Sequence, residues 1–156
     1  MKPTIVVECS NDELLLRTLG VPRNRIQHEG NRDEVVKYIL RKDPASFIGL
    51  VDEDATTQHG EQRTSFKNGV PRHGVYVATN GKRRLLVLQP FLEGWLLNAV
   101  HACKGRMNSL DKGLSDDPRT LHNQFAPRGD KRMQKVIEFL ERKKSKHLAE
   151  LRKALG

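Results

Sequence analysis

Two kinds of hydrophobic pattern alternate along the chain. Thr4-Ile5-Val6-Val7 and Phe47-Ile48-Gly49-Leu50-Val51 are uninterrupted apolar runs, the pattern of strands buried on both faces. Each runs into an acid, Glu8 after the first and Asp52 after the second. Between them, Leu14, Leu15, Leu16 and Leu19 predict a helix capped by Ser10 or Asn11 and stopped at Gly20. A short strand is predicted around residues 25–28. Asn31 then caps a helix with Val35, Val36, Ile39 and Leu40 on one face and Lys37, Arg41 and Lys42 on the other, and Pro44 ends it. The order strand, helix, strand, helix, strand predicts right-handed crossovers and a mainly parallel, open α/β sheet covered on both faces.

Residues 52–72 are polar and long for a connection inside a compact domain, which points to a functional or mobile segment. The apolar runs 75–78 and 85–88 flank Thr79-Asn80-Gly81-Lys82, and Asn-Gly between two such runs predicts a β-hairpin. Pro90 opens a further helix, reaching about His101, that carries Leu92, Trp95, Leu96, Leu97 and Val100. Residues 104–127 read as loops with a short helix at Pro118–Gln124. One long amphipathic helix is predicted over residues 130–155, with Val136, Phe139, Leu140, Leu148, Leu151 and Leu155 apolar. The expected organisation is therefore a domain over residues 1–127, with a basic C-terminal helix over 128–156 packed on it or extending it.

Charge sharpens that division. The 156 residues carry 28 Lys+Arg against 19 Asp+Glu, a net +9. Residues 128–156 hold ten basic and four acidic residues, a net +6, so the rest of the chain is almost balanced and contains the acidic clusters. A basic excess favours an anionic partner, nucleic acid first, although such a run is equally the exposed side of a helix. No apolar stretch approaches the roughly 18–20 residues that span a bilayer. The N-terminal residues form no signal-like apolar region, and Cys9 and Cys103 make no disulfide framework. A soluble, cytoplasmic protein is expected.

Three acidic features fall at element ends: Glu8 with Asp12, Asp52-Glu53-Asp54, and Glu93 in the first turn of the helix after the hairpin. Ligands of open α/β sheets bind beyond the carboxyl ends of strands. If the first and third strands are neighbours, Glu8, Asp52 and Asp54 converge. Crowded carboxylates raise one another's pKa, and Mg²⁺ or Mn²⁺ suits an oxygen-rich site that needs its repulsion relieved. Alternate residues of an extended segment point the same way, so Asp52 and Asp54 can share a cation while Glu53 faces elsewhere. Asp12 and Glu93 are equally well placed simply to oppose a helix dipole.

Val6-Val7-Glu8-Cys9-Ser10-Asn11-Asp12 before a Leu-rich helix resembles the opening motif of the Toprim (topoisomerase–primase) fold. Gly49-Leu50-Val51-Asp52-Glu53-Asp54 resembles its second signature, a strand ending in Asp-x-Asp. The turn at His28-Glu29-Gly30-Asn31 fits in order and length. Leu92-Glu93-Gly94-Trp95-Leu96 is similar to a segment of the overcoming-lysogenization-defect (OLD) type nuclease domains and their small stand-alone relatives. The resemblance covers about residues 4–100. It departs from the family at Cys9, where glycine is usual, and in the long connection after Asp54.

The resemblance implies an Mg²⁺-dependent (or Mn²⁺-dependent) nuclease, a hydrolase of phosphodiester bonds in DNA or RNA, in a phage-defence or mobile-element setting. Glu8, Asp52 and Asp54 would be catalytic, and Glu8, Asp12, Asp52, Asp54 and Glu93 the metal ligands. A C-terminal lysine is also implied, with Lys112, Lys131 and Lys135 as candidates. The alternative is a non-catalytic or regulatory subunit that binds nucleic acid or a separate ATPase, its final helix serving as the docking surface.

Lys82, Arg83, Arg84, Lys131 and Lys135 are the candidate nucleic-acid contacts, with Arg23 and Arg25 as further cations that could flank the acids. His101, Cys103 and His122 match no standard zinc spacing. His28, His59 and His73 read as surface residues. Phe91 and Trp95 read as core, and the chain has no Gly-Lys-Ser/Thr phosphate loop.

Overall fold

The computed structural model describes residues 2–53, 61–126 and 129–156, without the side chain of Glu61. The first half alternates as its hydrophobic pattern requires: β1 (Thr4–Val7), α1 (Ser10–Thr18), β2 (Ile26–His28), α2 (Arg32–Arg41) and β3 (Phe47–Asp52). A single 3₁₀ turn, Arg23–Arg25, leads into β2. Asn31 caps α2, its side-chain oxygen accepting from the Glu34 amide at 2.9 Å. α1 starts one residue earlier than expected, with Cys9 in extended backbone at its cap (φ −146°), a conformation that does not require glycine.

The polar stretch after β3 is partly structured: the short helix α3 (Glu61–Thr64) and the two-residue β4 (Lys67–Asn68) precede the hairpin of β5 (Val75–Asn80) and β6 (Arg83–Leu88). Gly81 takes the positive φ (59°) that the tight turn demands. The six strands form one sheet in the order β2-β1-β3-β6-β5-β4. β2, β1, β3 and β6 run parallel, while β5 and β4 are antiparallel additions at one edge.

Alternation along each strand sends residues to two cores. Val6, Val51, Leu85 and Val87 pack under α2 with Val35, Val36, Ile39 and Phe66. Ile5, Val7, Ile48, Leu50, Leu86 and Leu88 face the larger core beneath the remaining helices. Those are α1, α4 (Leu92–Ala102), α5 (Met107–Leu110), α6 (Pro118–Gln124), α7 (Lys131–Arg142) and α8 (Lys146–Leu155). Trp95 is fully buried there, as its helix pattern predicts. Gly49 is the tight point on the other face: a Cβ at this position would lie 2.6 Å from Leu85 Cδ1 and 3.1 Å from Val35 Cγ1.

The single helix expected over residues 130–155 is two helices. Lys144 adopts a left-handed backbone (φ 54°), and Ser145 caps α8 by accepting from the Leu148 amide. The break follows from the pattern. A continuous helix would place Lys144 one turn from both Leu140 and Leu148, in the middle of the apolar stripe. Turning at Lys144 keeps it outside while Val136, Ile137, Leu140, Leu148 and Leu151 are all buried. This apolar face is thus spent on the chain's own core and is not a free docking surface. No helix among the described residues is long and apolar enough to cross a membrane.

Candidate active site

The strand order fixes where a ligand can enter. The chain leaves β1 toward β2 on one side and leaves β3 toward the hairpin on the other, so β1 and β3 flank the topological switch point. Val7 pairs with Leu50, which brings Glu8, just past β1, close to Asp52, the last residue of β3. The carboxyl end of β6 adds α4, whose first turn carries Glu93, and α1 contributes Asp12. A cavity of about 550 Å³ opens here, lined by Glu8, Asp52 and Glu93 together with Arg32, Arg119 and His122.

The acids are enclosed. Asp12 is 1% exposed and Glu93 5%. One oxygen of Asp12 accepts from the Cys9 thiol at 3.2 Å, while its Oδ1 is buried without a hydrogen-bond partner. The start of α4 at Leu92 favours the charged form of Asp52, whose Oδ1 is likewise buried and unpartnered. The electrostatic result is direct. Burial, then the charge of Glu8, with Glu93 adding to it, pushes the Asp12 carboxyl up to about 7. Burial, then Asp12 and Glu8, pushes Asp52 well above the usual carboxylate range. Burial, followed by the Asp12 charge, also drives the Cys9 thiol up, so it stays protonated as a donor.

This donor set suits a hard cation in its chemistry: its carboxylates supply only oxygen ligands, two of those oxygens are orphaned, and mutual repulsion awaits a counter-charge. Among the described residues, however, no three His, Cys, Asp or Glu side chains are grouped closely enough to hold a metal ion. Asp54 and His59 lie outside the described residues. Glu53 does face away, as expected, its carboxylate accepting from the Gln89 side-chain amide.

The structure brings Glu8, Asp12, Asp52 and Glu93 together but separates several predicted cations from them. β6 runs parallel to β3, so Lys82, Arg83 and Arg84 sit at the opposite end of the sheet from the acids. Arg83 donates to the Ile39 carbonyl and Arg84 to the Ala154 carbonyl, each at 3.2 Å. Arg25 is spent on the Pro3 carbonyl and Arg23 lies beside Glu13. Lys135 pairs with Asp111 at 2.8 Å. Lys131 is exposed at the start of α7, near the first turn of α1: a Cβ on Gly129 would lie 3.9 Å from the Ser10 carbonyl oxygen. Lys112 is exposed beyond α5.

Four cavity residues carried no motif: Arg32, Phe91, Arg119 and His122. His122 Nδ1 lies 3.0 Å from Glu93 Oε1, and the Phe91 ring meets the imidazole edge-on, its centroid 6.3 Å away. Phe91 therefore lines the cavity instead of the core. His101 engages Asp116 at 2.9 Å, so the two histidines are committed to different acids, and His73 lies beside His147. Arg32, the first residue of α2, is 9% exposed, with Nε and Nη1 unpartnered. Its position was readable from the logic that located the acids, since α2 starts just beyond the carboxyl end of β2. His122 and Arg119 were not readable, because α6 reaches the cavity only through its tertiary packing on α4. Comparison of the chain with protein-family models, with curated proteins and with solved structures yields no match.

Proposed function

We propose that the protein is a divalent-cation-dependent nuclease of Toprim type, hydrolysing phosphodiester bonds at the Glu8, Asp12, Asp52 and Glu93 cluster, with Asp54 as a further ligand. The observation that carries this reading is the pair of enclosed carboxylates, Asp12 and Asp52, each with an unpartnered oxygen, at the switch point of a mainly parallel sheet. A structural role does not account for them. Helix-start acids stabilise a helix dipole while still hydrated, whereas these two are buried against like charges.

Glu8, Asp12, Asp52 and Glu93 would have to draw closer than they stand here to hold Mg²⁺ or Mn²⁺, whose chemistry is to acidify a bound water and offset charge on the leaving oxygen. The chain's own groups do the rest. Glu93 and His122 share a hydrogen bond at the cavity wall, which leaves the exposed imidazole able to exchange a proton with solvent or substrate. Phe91 lines the cavity beside His122 and gives that wall an apolar surface. The net +9 charge favours approach of nucleic acid.

The test is calorimetric titration of Mg²⁺ and Mn²⁺ into the protein and into Asp52→Ala, followed by incubation with labelled single- and double-stranded DNA and RNA. Cation binding and cleavage that both disappear in the variant are expected. Binding without cleavage would favour the alternative, a regulatory subunit that needs a partner such as an ATPase. Full cleavage by folded Asp52→Ala would remove the cluster from the chemistry.

A further inference from the structure

We propose a phosphate-binding subsite in the acidic cavity, anchored by the Arg32 guanidinium, with Arg119 as its outer cation. It rests on the nuclease reading and assigns the group that holds the substrate's backbone phosphate. Arg32 is nine-tenths buried and lines the cavity, yet Nε and Nη1 have no hydrogen-bond partner. A buried guanidinium with two idle nitrogens is costly to keep, and each of them forms an edge with Nη2 that grips a planar pair of acceptor oxygens. Phosphate supplies that pair, and the fork of arginine matches it as lysine does not.

The surroundings favour an anion at the same point. Arg32 is the first residue of α2, a ten-residue helix whose amino end offers partial positive charge. Arg119 projects from α6 into the same cavity and is exposed, so it can close over a ligand after entry. The space of about 550 Å³ is large enough for a nucleotide unit and not only a bare ion. Cations and acids thus line a single cavity. A phosphodiester held by its non-bridging oxygens on Arg32 would present its phosphorus toward Glu8 and Asp52. The subsite belongs to the reacting phosphate itself, in contrast to the cations at the far end of the sheet.

The experiment needs neither cation nor turnover. Inorganic phosphate is titrated into the protein at low ionic strength in EDTA, observed through the arginine Nε–H resonances, and then used to displace labelled oligonucleotides with and without a 5′-phosphate. The expected results are a shift of the Arg32 signal, displacement by phosphate, and oligonucleotide binding weakened about tenfold in Arg32→Gln. Arg32→Lys should recover only part of this, and Arg119→Gln should weaken binding about threefold, the scale of lost charge-assisted hydrogen bonds. Preference for the 5′-phosphate would place a chain end in the subsite, and equal binding an internal diester. An unmoved Arg32 signal, or Arg32→Gln binding within twofold of wild type, would overturn the subsite. If Arg32→Gln does not fold, the wild-type shift decides alone. Loss of cation binding in Asp52→Ala is a separate result, so failure of the subsite and failure of the nuclease reading are distinguishable.

Discussion

Replacing Asp12 with asparagine should make the protein more stable, and increasingly so as pH rises. The carboxyl titrates near 7 in the folded chain against an ordinary 3.8, chiefly through burial and then the charge of Glu8. At about 1.4 kcal/mol per pKa unit, ionising Asp12 costs the fold about 4 kcal/mol relative to the unfolded chain. The sign follows from where the proton is held. Between pH 3.8 and 7 the folded state binds it and the unfolded state does not, so wild-type stability falls across that window and levels off above it. Asp12→Asn removes this titration. Its advantage should be small below pH 4, roughly 2 kcal/mol at pH 5 and up to about 4 kcal/mol at pH 8, a large share of a typical domain's stability. Asp52 titrates in the same direction and shares the repulsion, so a measured gain of about 2 kcal/mol at pH 8 would still agree. The assay is urea unfolding of both proteins in EDTA from pH 4 to 8.5, with the denaturant slope checked for constancy. A stability difference that does not change with pH would refute the claim that Asp12 is a buried, repelled acid.

Three further outcomes are expected. Cys9 should react with iodoacetamide at pH 8 far more slowly than an unperturbed thiol, because burial and the neighbouring Asp12 keep it protonated, and mass spectrometry of timed digests measures this. Gly49→Ala should cost about 1–3 kcal/mol in urea unfolding, because the new methyl must displace Leu85 and press on Val35 and Ile39. Lys144→Gly should raise stability by about 0.5–1 kcal/mol in the same assay, since its backbone is left-handed and glycine takes that conformation without strain.

Which parts of the molecule were legible in the sequence depends on how local their causes are. β1, β3 and the hairpin were readable because continuous apolar runs and Asn80-Gly81 act over a few residues. Glu8 and Asp52 were readable as neighbours because both end interior parallel strands, and register then leaves them no other place. β4 was missed, since two exposed residues paired to an edge carry no pattern of their own. Residues 82–84 were assigned by charge alone. Only the strand direction, a property of the whole sheet, shows that they point away from the acids. The break at Lys144 lay in plain view as a lysine within the apolar stripe, but apolar spacing on either side of it masked the turn.

The cavity also has a history along the chain. Glu8 and His122, which face the same space, are separated by 114 residues of sequence, and the wall bearing His122 and Arg119 packs on α4, which itself follows the hairpin. Contacts of such long sequence separation are slow to form, because the loop entropy is lost before the contact is gained. Glu8 and Asp52, in contrast, take their places as soon as β1 and β3 pair. The expected order of events is that these two carboxylates meet first at the open end of the sheet, still hydrated and weakly coupled. Docking of α6 is then the step that encloses them, so the electrostatic penalty falls late, on unpacking of this wall more than on formation of the sheet. Variants that loosen α6 should accelerate opening of the cavity and leave the rate of sheet formation unchanged.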